Sequence, residues 1–118
     1  MTSPYVQPKG PQKYVVSAYG EDLRLTEARA WVQKSRAPVP LYLGDSSTRE
    51  DSLQALDELS QQGAHLSLVE DLGPDEDTAH LYLVPEPGRD KDVLLARFEL
   101  YPDSVDEVAP HVFKLWWD

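Results

Sequence analysis

The three histidines of the chain, His65, His80 and His111, could ligate a transition metal or exchange protons near neutral pH. The first two lie on predicted strands at 64–69 and 79–84, which can form a hairpin. In that hairpin, residues whose numbers sum to about 149 face each other, so His65 lies about 13 Å from His80 along the strands. This separation is too large for shared coordination at about 2 Å, so ordinary strand histidines are expected. His111 could approach either one, but we predict no metal site and no cofactor.

The acidic loop at 71–77, Asp-Leu-Gly-Pro-Asp-Glu-Asp, is the second cluster of chemically active side chains. One interpretation is a weak Ca²⁺ or Mg²⁺ site, although the alternating ligands and bidentate glutamate of an EF-hand loop are missing. The other is a solvated acidic loop, which is typical of runs of like charge. Asp75, Glu76 and Asp77 are therefore candidate binding residues.

A strand-to-helix turn at 41–47 carries the sequence Leu-Tyr-Leu-Gly-Asp-Ser-Ser, and Asp77 and His80 have Asp-x-x-His spacing. Together these segments resemble the first block and the triad spacing of the GDSL (SGNH) hydrolase family. The resemblance implies that Ser46 is a nucleophile assisted by Asp77 and His80. The family also uses an oxyanion-hole asparagine, and this chain contains no asparagine. The alternative function is thus a small hydrolase using Ser46, Asp77 and His80, or a metal-dependent enzyme using the 71–77 loop.

Two adjacent tryptophans near the C-terminus indicate an interaction surface. Because alternate residues of a strand point to opposite faces, Phe113, Leu115 and Trp117 are expected to join the core. Trp116 and Lys114 would then lie on the other face as candidate binding residues. An exposed tryptophan is a common anchor of protein interfaces. If helices cover both faces, or if the indole lies over a loop, Trp116 has a packing role instead.

The charge of the chain limits its partners. Its 118 residues include 11 Lys and Arg and 21 Asp and Glu, giving a net charge of −10. Six bases and three acids fall in residues 1–40, whereas five bases and 18 acids fall in residues 41–118. Such a field repels nucleic acid, unless the N-terminal bases gather on one face, and favours a basic or nucleic-acid-binding protein partner. Net negative charge also serves solubility alone.

Composition indicates an ordinary globular protein without disulfides. The chain has no cysteine, no apolar run long enough to span a bilayer, and no apolar N-terminal secretory segment. We therefore expect a cytoplasmic protein with no membrane association. Proline-rich residues 1–12 are predicted to be a flexible lead-in, and residues 13–118 a single domain.

The predicted fold class is α+β, with a first half of α/β character. Strands are predicted at 13–19, 39–43, 64–69, 79–84, 92–101 and 111–117, with one helix from Thr26 to Pro38 and another from Ser47 to Gly63. A short helical turn is predicted from Ser104. The first half would form crossovers on parallel strands and the second an antiparallel meander, giving one mixed sheet of about six strands with two main helices on one face.

These features favour a non-catalytic, acidic, cytoplasmic binding or regulatory protein that acts through protein–protein interaction. An inhibitor, an adaptor or a modulator would fit, including an acidic mimic of DNA that occupies a nucleic-acid-binding protein.

Overall fold

Helices and strands follow one another closely along the chain in the computed structural model, which describes residues 4–44 and 48–118. The strands are β1 (Val6–Gly10), β2 (Lys13–Ala18), β3 (Glu21–Glu27), β4 (Ala64–Glu70), β5 (His80–Pro85), β6 (Ser104–Ala109) and β7 (Val112–Trp116). The helices are α1 (Ala28–Lys34), α2 (Arg49–Gln62) and α3 (Lys91–Arg97). The α+β class is confirmed, but the described residues form seven strands and three helices, more than the sequence predicts.

All seven strands belong to one sheet in the order β1-β2-β3-β4-β5-β7-β6. Every neighbouring pair of strands is antiparallel, so the predicted parallel crossovers in the first half are wrong. The single parallel pairing in the described residues is an isolated bridge between Leu41 and Thr78. Hydrophobic periodicity shows which face of a strand is buried but carries no information on strand direction, which explains this error.

The sheet is curled, and both of its faces are apolar. On the outer face, α1 and α2 pack against buried residues such as Val69, Leu81 and Leu115. On the inner face, β6 approaches β2, so that Val16 and Val112 share a second buried cluster. This curling lets an antiparallel sheet bury its second face without covering it with helices.

Helix α2 is the element that the sequence predicts best. Its N-cap is Thr48, whose hydroxyl accepts a hydrogen bond of 3.2 Å from the backbone N–H of Asp51. The predicted cap Ser47 lies outside the described residues. Gly63 ends the helix with φ +140°, as its position predicts, because glycine adopts positive φ without a steric cost.

The predicted strand at 92–101 is wrong, because α3 occupies most of it. Asp90 caps this helix by accepting a hydrogen bond of 2.8 Å from the N–H of Asp92. Buried Leu94 and Leu95 and half-buried Phe98 lie on one side of the helix. A run of this length, with three leucines among residues 92–101, fits either period, and the aspartate cap favours the helix.

Two other predicted elements are wrong. Residues 104–109, predicted as a helical turn on the capping-box spacing of Ser104 and Glu107, form β6 and pair with β7. Residues 39–43, predicted as a strand, form only the isolated bridge of Leu41 to Thr78. The capping spacing was misleading because polar residues at three-residue intervals also occur on half-exposed strands.

Two strands were missed near the N-terminus. Residues 6–10, assigned by sequence to the flexible lead-in, pair with β2 and bury Val6. Residues 21–27 form β3, in which Leu23 and Leu25 alternate with polar neighbours. Thr26, predicted as a helix cap, instead donates its hydroxyl to the Gln12 carbonyl at 2.8 Å, and α1 begins at Ala28.

Candidate functional site

The acidic loop is engaged by basic residues from the N-terminal third. Lys13 forms a 2.8 Å ion pair with Asp71, and Arg36 forms a 2.9 Å ion pair with Asp75. Glu76 accepts a 2.6 Å hydrogen bond from the backbone N–H of Gly73 and so shapes the loop itself. These carboxylates therefore have partners within the protein.

A third ion pair also joins the basic N-terminal third to the acidic remainder of the chain. Arg29 pairs with Asp57 at 2.6 Å, so it too links the basic N-terminal third to the acidic remainder. The ion pairs are solvent-exposed, and each such pair stabilises a fold by about 0–1 kcal/mol. Three of the bases that could have contacted nucleic acid are thereby directed at carboxylates of the same chain.

The metal and hydrolase interpretations gain no support from the described geometry. Among residues 4–44 and 48–118, no group of three or more acidic or histidine side chains is placed to hold a metal ion. Ser46 lies outside the described residues. Asp77 is exposed, and His80 lies on β5 opposite Trp116. The predicted hairpin of β4 and β5 is confirmed, with Leu66 opposite Val84, which keeps His65 and His80 at opposite ends.

A polar and aromatic group, here called the inner-face cluster, lies at the open end of the curled sheet. It consists of Glu70, His80, Tyr82, Lys114 and Trp116. The register pairs His80 with Trp116 and Tyr82 with Lys114, which places these side chains on one face. The hydroxyl of Tyr82 donates to Glu70 at 3.1 Å, and Nζ of Lys114 lies 5.8 Å from the Tyr82 ring centroid.

Burial and neighbouring charges set the protonation states in this cluster. Burial, and then the positive charge of Lys114, lower the pKa of His80, while Glu70 acts in the opposite direction. Burial, followed by the charge and the hydrogen bond of Glu70, raises the pKa of Tyr82. At neutral pH these shifts favour a neutral imidazole on His80 and a protonated phenol on Tyr82.

The two tryptophans separate as the strand alternation predicts. Trp117 is 3% exposed and belongs to the outer-face core with Leu115, whereas Trp116 is 37% exposed on the inner face. Farther along the same face, Val112 is fully buried because the sheet curls over it. Trp116 thus lies where the inner face opens to solvent.

Three aspartates lie near Trp116 in the strand register or along the backbone. Asp106 lies opposite Lys114 in the β6–β7 register. The backbone N–H of Asp103 donates to the Trp116 carbonyl at 2.7 Å, and the Asp103 carboxylate accepts from the N–H of Asp118 at 2.7 Å. Asp103, Asp106 and Asp118 are all exposed, and Asp106 shares the face of the inner-face cluster because it pairs with Lys114.

The sequence indicated only part of this cluster. Trp116 and Lys114 were candidates, while Asp75, Glu76 and Asp77 lie in a separate loop. Glu70 and Tyr82 were missed, although the alternation along β4 and β5 is the signal that could have placed them beside His80. Joining them to Trp116 required knowing that β5 pairs with β7.

Comparisons with models of known protein families, with curated proteins and with solved structures find no match to this chain. In the described part of the chain, no helix has both the length and the apolar character needed to cross a membrane.

Proposed function

We propose that this chain is a non-catalytic, acidic, cytoplasmic binding protein that regulates a basic protein partner through the inner-face cluster. The observation that supports this function is the 37% exposure of Trp116 at the open end of the curled sheet. Tryptophan is enriched among the residues that dominate the energy of protein interfaces. A partner that covers the remaining indole surface would complete the burial that curling provides elsewhere on this face.

Charge complementarity supports a partner with lysine or arginine at its contact surface. Asp106 pairs with Lys114 across β6 and β7, and exposed Asp103 and Asp118 lie next to Trp116 along the backbone, while Lys114 is the single cationic side chain of the cluster and lies near the Tyr82 ring. An arginine from the partner could stack on the indole of Trp116 while it meets these carboxylates. A surface with this balance repels phosphates, so a protein that itself binds nucleic acid is a better partner than nucleic acid.

The internal pairing of polar groups supports binding over catalysis. Glu70 and Tyr82 are hydrogen-bonded to each other, and the carboxylates of the acidic loop pair with Lys13 and Arg36. A rigid, mutually satisfied polar surface is well suited to recognition, because little side-chain ordering is needed on association.

Site-specific photocrosslinking tests this proposal. A full-length chain with p-benzoylphenylalanine in place of Trp116 would be added to a lysate of the source cells and irradiated. The matched control carries the same group in place of Tyr19, a 71% exposed aromatic residue in the β2–β3 turn. We expect a protein adduct from position 116 that is absent from position 19 and decreases at high salt.

The captured protein would then be purified and titrated with wild-type and variant chains. Asp106→Asn should weaken binding at low salt and have a smaller effect at high salt, because screening already reduces that attraction. Equal adducts from positions 116 and 19, or no adduct at position 116, would contradict the proposed surface. An adduct with nucleic acid would contradict the proposed class of partner.

A further inference from the structure

A second concave site lies at the end of the sheet opposite the inner-face cluster. It is a cavity of about 400 Å³ formed by the N-terminal segment, the start of β4, the β5–α3 turn and the β6–β7 turn. This volume lies within the range of small-molecule sites and offers room for about a dozen water-sized groups. Because the cavity and the inner-face cluster lie at opposite ends of β4 and β5, the two sites can be tested independently.

The walls of the cavity are apolar and stiff. Pro85, Pro87 and Pro110 line it together with Tyr5 and Val84. Val84 is buried in the inner-face core, and proline has a fixed φ and no rotatable side chain. A site built from such residues is largely preformed, so an apolar ligand can enter without ordering its walls.

Hydrogen bonds of the main chain hold the β5–α3 turn against helix α2. The N–H of Glu86 donates to the Gly63 carbonyl at 2.8 Å, and the N–H of Arg89 donates to the Glu86 carbonyl at 3.0 Å. Arg89 lines the cavity, and its side chain forms no ion pair with any residue in 4–44 or 48–118. An always-charged guanidinium beside an apolar cavity is a natural partner for a carboxylate.

Two histidines add hydrogen-bonding groups to the rim. His65 and His111 both line the cavity. His111 has φ +63° in the turn after Pro110, and its backbone N–H donates to Glu107 at 3.3 Å. Positive φ is uncommon for a histidine, and here it directs the turn that forms one wall of the cavity.

We propose that this cavity binds a small organic carboxylate with an apolar body. The apolar part would contact Val84, Tyr5 and the prolines, and the carboxylate would accept hydrogen bonds from Arg89 and one imidazole. Glu86 on the rim would repel a ligand with a second negative charge, which favours a monoanion. The local site therefore selects an anion even though the whole protein is acidic.

Chemical-shift mapping of the ¹⁵N-labelled full chain with indole-3-acetate tests this inference. We expect saturable shifts of the amides of His65, Gly88, Arg89 and His111, with smaller effects from the neutral analogue indole-3-ethanol. Arg89→Gln should weaken the binding of indole-3-acetate by about tenfold, which is the effect of one charge-assisted hydrogen bond. The control Arg97→Gln removes the same charge from the exposed end of α3 and should leave the affinity unchanged.

A cavity-filling variant gives a second measurement. His65 is exposed, so His65→Trp should preserve the fold and abolish the shifts at Gly88 and Arg89 by occupying the site. Absence of saturable shifts in the wild type would overturn the proposal, as would equal affinities for the acid and the alcohol. Shifts confined to the amides around Trp116 would also overturn it, and would instead bear on the proposed partner-binding surface.

Discussion

Replacing each of the two adjacent tryptophans by alanine should separate a folding role from a binding role. Trp117 is 3% exposed within the outer-face core, and its backbone N–H donates to the Ala79 carbonyl at 3.1 Å. Trp116 is 37% exposed beside the acidic termini of β6 and β7. The two residues have the same chemistry and are one position apart, so each substitution is the control for the other.

The expected magnitudes differ in both stability and affinity. Trp117→Ala should lower the free energy of unfolding by about 3–5 kcal/mol, because a buried aromatic ring leaves a cavity. Trp116→Ala should lower it by about 1–2 kcal/mol, since part of the ring already contacts water. The exposed part of Trp116 is roughly 90 Å², which at about 25 cal/mol per Å² contributes about 2.3 kcal/mol when a partner covers it. Trp116→Ala should therefore weaken partner binding by up to about 50-fold.

Thermal and urea unfolding followed by far-ultraviolet circular dichroism would measure stability without relying on tryptophan fluorescence. For a chain of 118 residues, 1 kcal/mol corresponds to about 4 °C in Tm. We expect Tm to fall by about 12–20 °C for Trp117→Ala and by about 4–8 °C for Trp116→Ala. Equal losses of stability, or a larger loss for Trp116→Ala, would refute the assignment of the two rings to a core and a surface.

Three further predictions concern other parts of the fold. Gly44→Ala should lower the free energy of unfolding by about 1–3 kcal/mol more than Gly20→Ala does. Both glycines have positive φ, but only at Gly44 would the new methyl group lie 2.9 Å from the Trp117 ring. Equal urea midpoints for the two variants would argue against this contact. Ser52→Ala should lower the free energy of unfolding in urea by about 1–3 kcal/mol, since the buried hydroxyl donates at 2.6 Å to a main-chain carbonyl of the segment before α2. An unchanged urea midpoint would mean that the carbonyl finds another donor. Because folding lowers the pKa of His80 from 6.5, the unfolded chain binds more protons, and stability should fall as the pH drops through and below that value. His80→Gln should therefore make Tm less dependent on pH between about pH 7.5 and pH 5.5. A profile of Tm against pH identical to that of the wild type would exclude His80 as the cause.

The sequence predicted an element correctly where a helix cap or a strict alternation was not contradicted by a second local pattern. Helix α2 follows from its leucines and from Gly63, and the β4–β5 hairpin follows from two alternating segments around a polar loop. Prediction failed at α3, where the apolar residues fit both periods, and at β6, where Ser104 and Glu107 have the spacing of a helix cap. In both cases contacts with distant residues decide between two local structures of similar energy.

The candidate site divides in the same way. Alternation along the last strand was enough to place Trp116 and Trp117 on opposite faces of the sheet, with Lys114 on the same face as Trp116. It could not indicate that Glu70 and Tyr82 belong to the same site, because their strands meet β7 only through the order of the folded sheet. Their hydrogen bond and the shifted pKa values are therefore products of tertiary structure.

By itself, the sequence determined the chemical character of this protein: an acidic, cysteine-free α+β chain with a basic N-terminal third and one tryptophan on each face of its last strand. Tertiary structure alone decided that all the strands run antiparallel, that the basic third pairs with the acidic remainder, and that the inner face opens at Trp116. The physical reason is that periodicity and capping depend on neighbours within a few residues. Strand direction, curling and ion pairing depend on residues far apart in the chain, whose contacts form only when the whole sheet does.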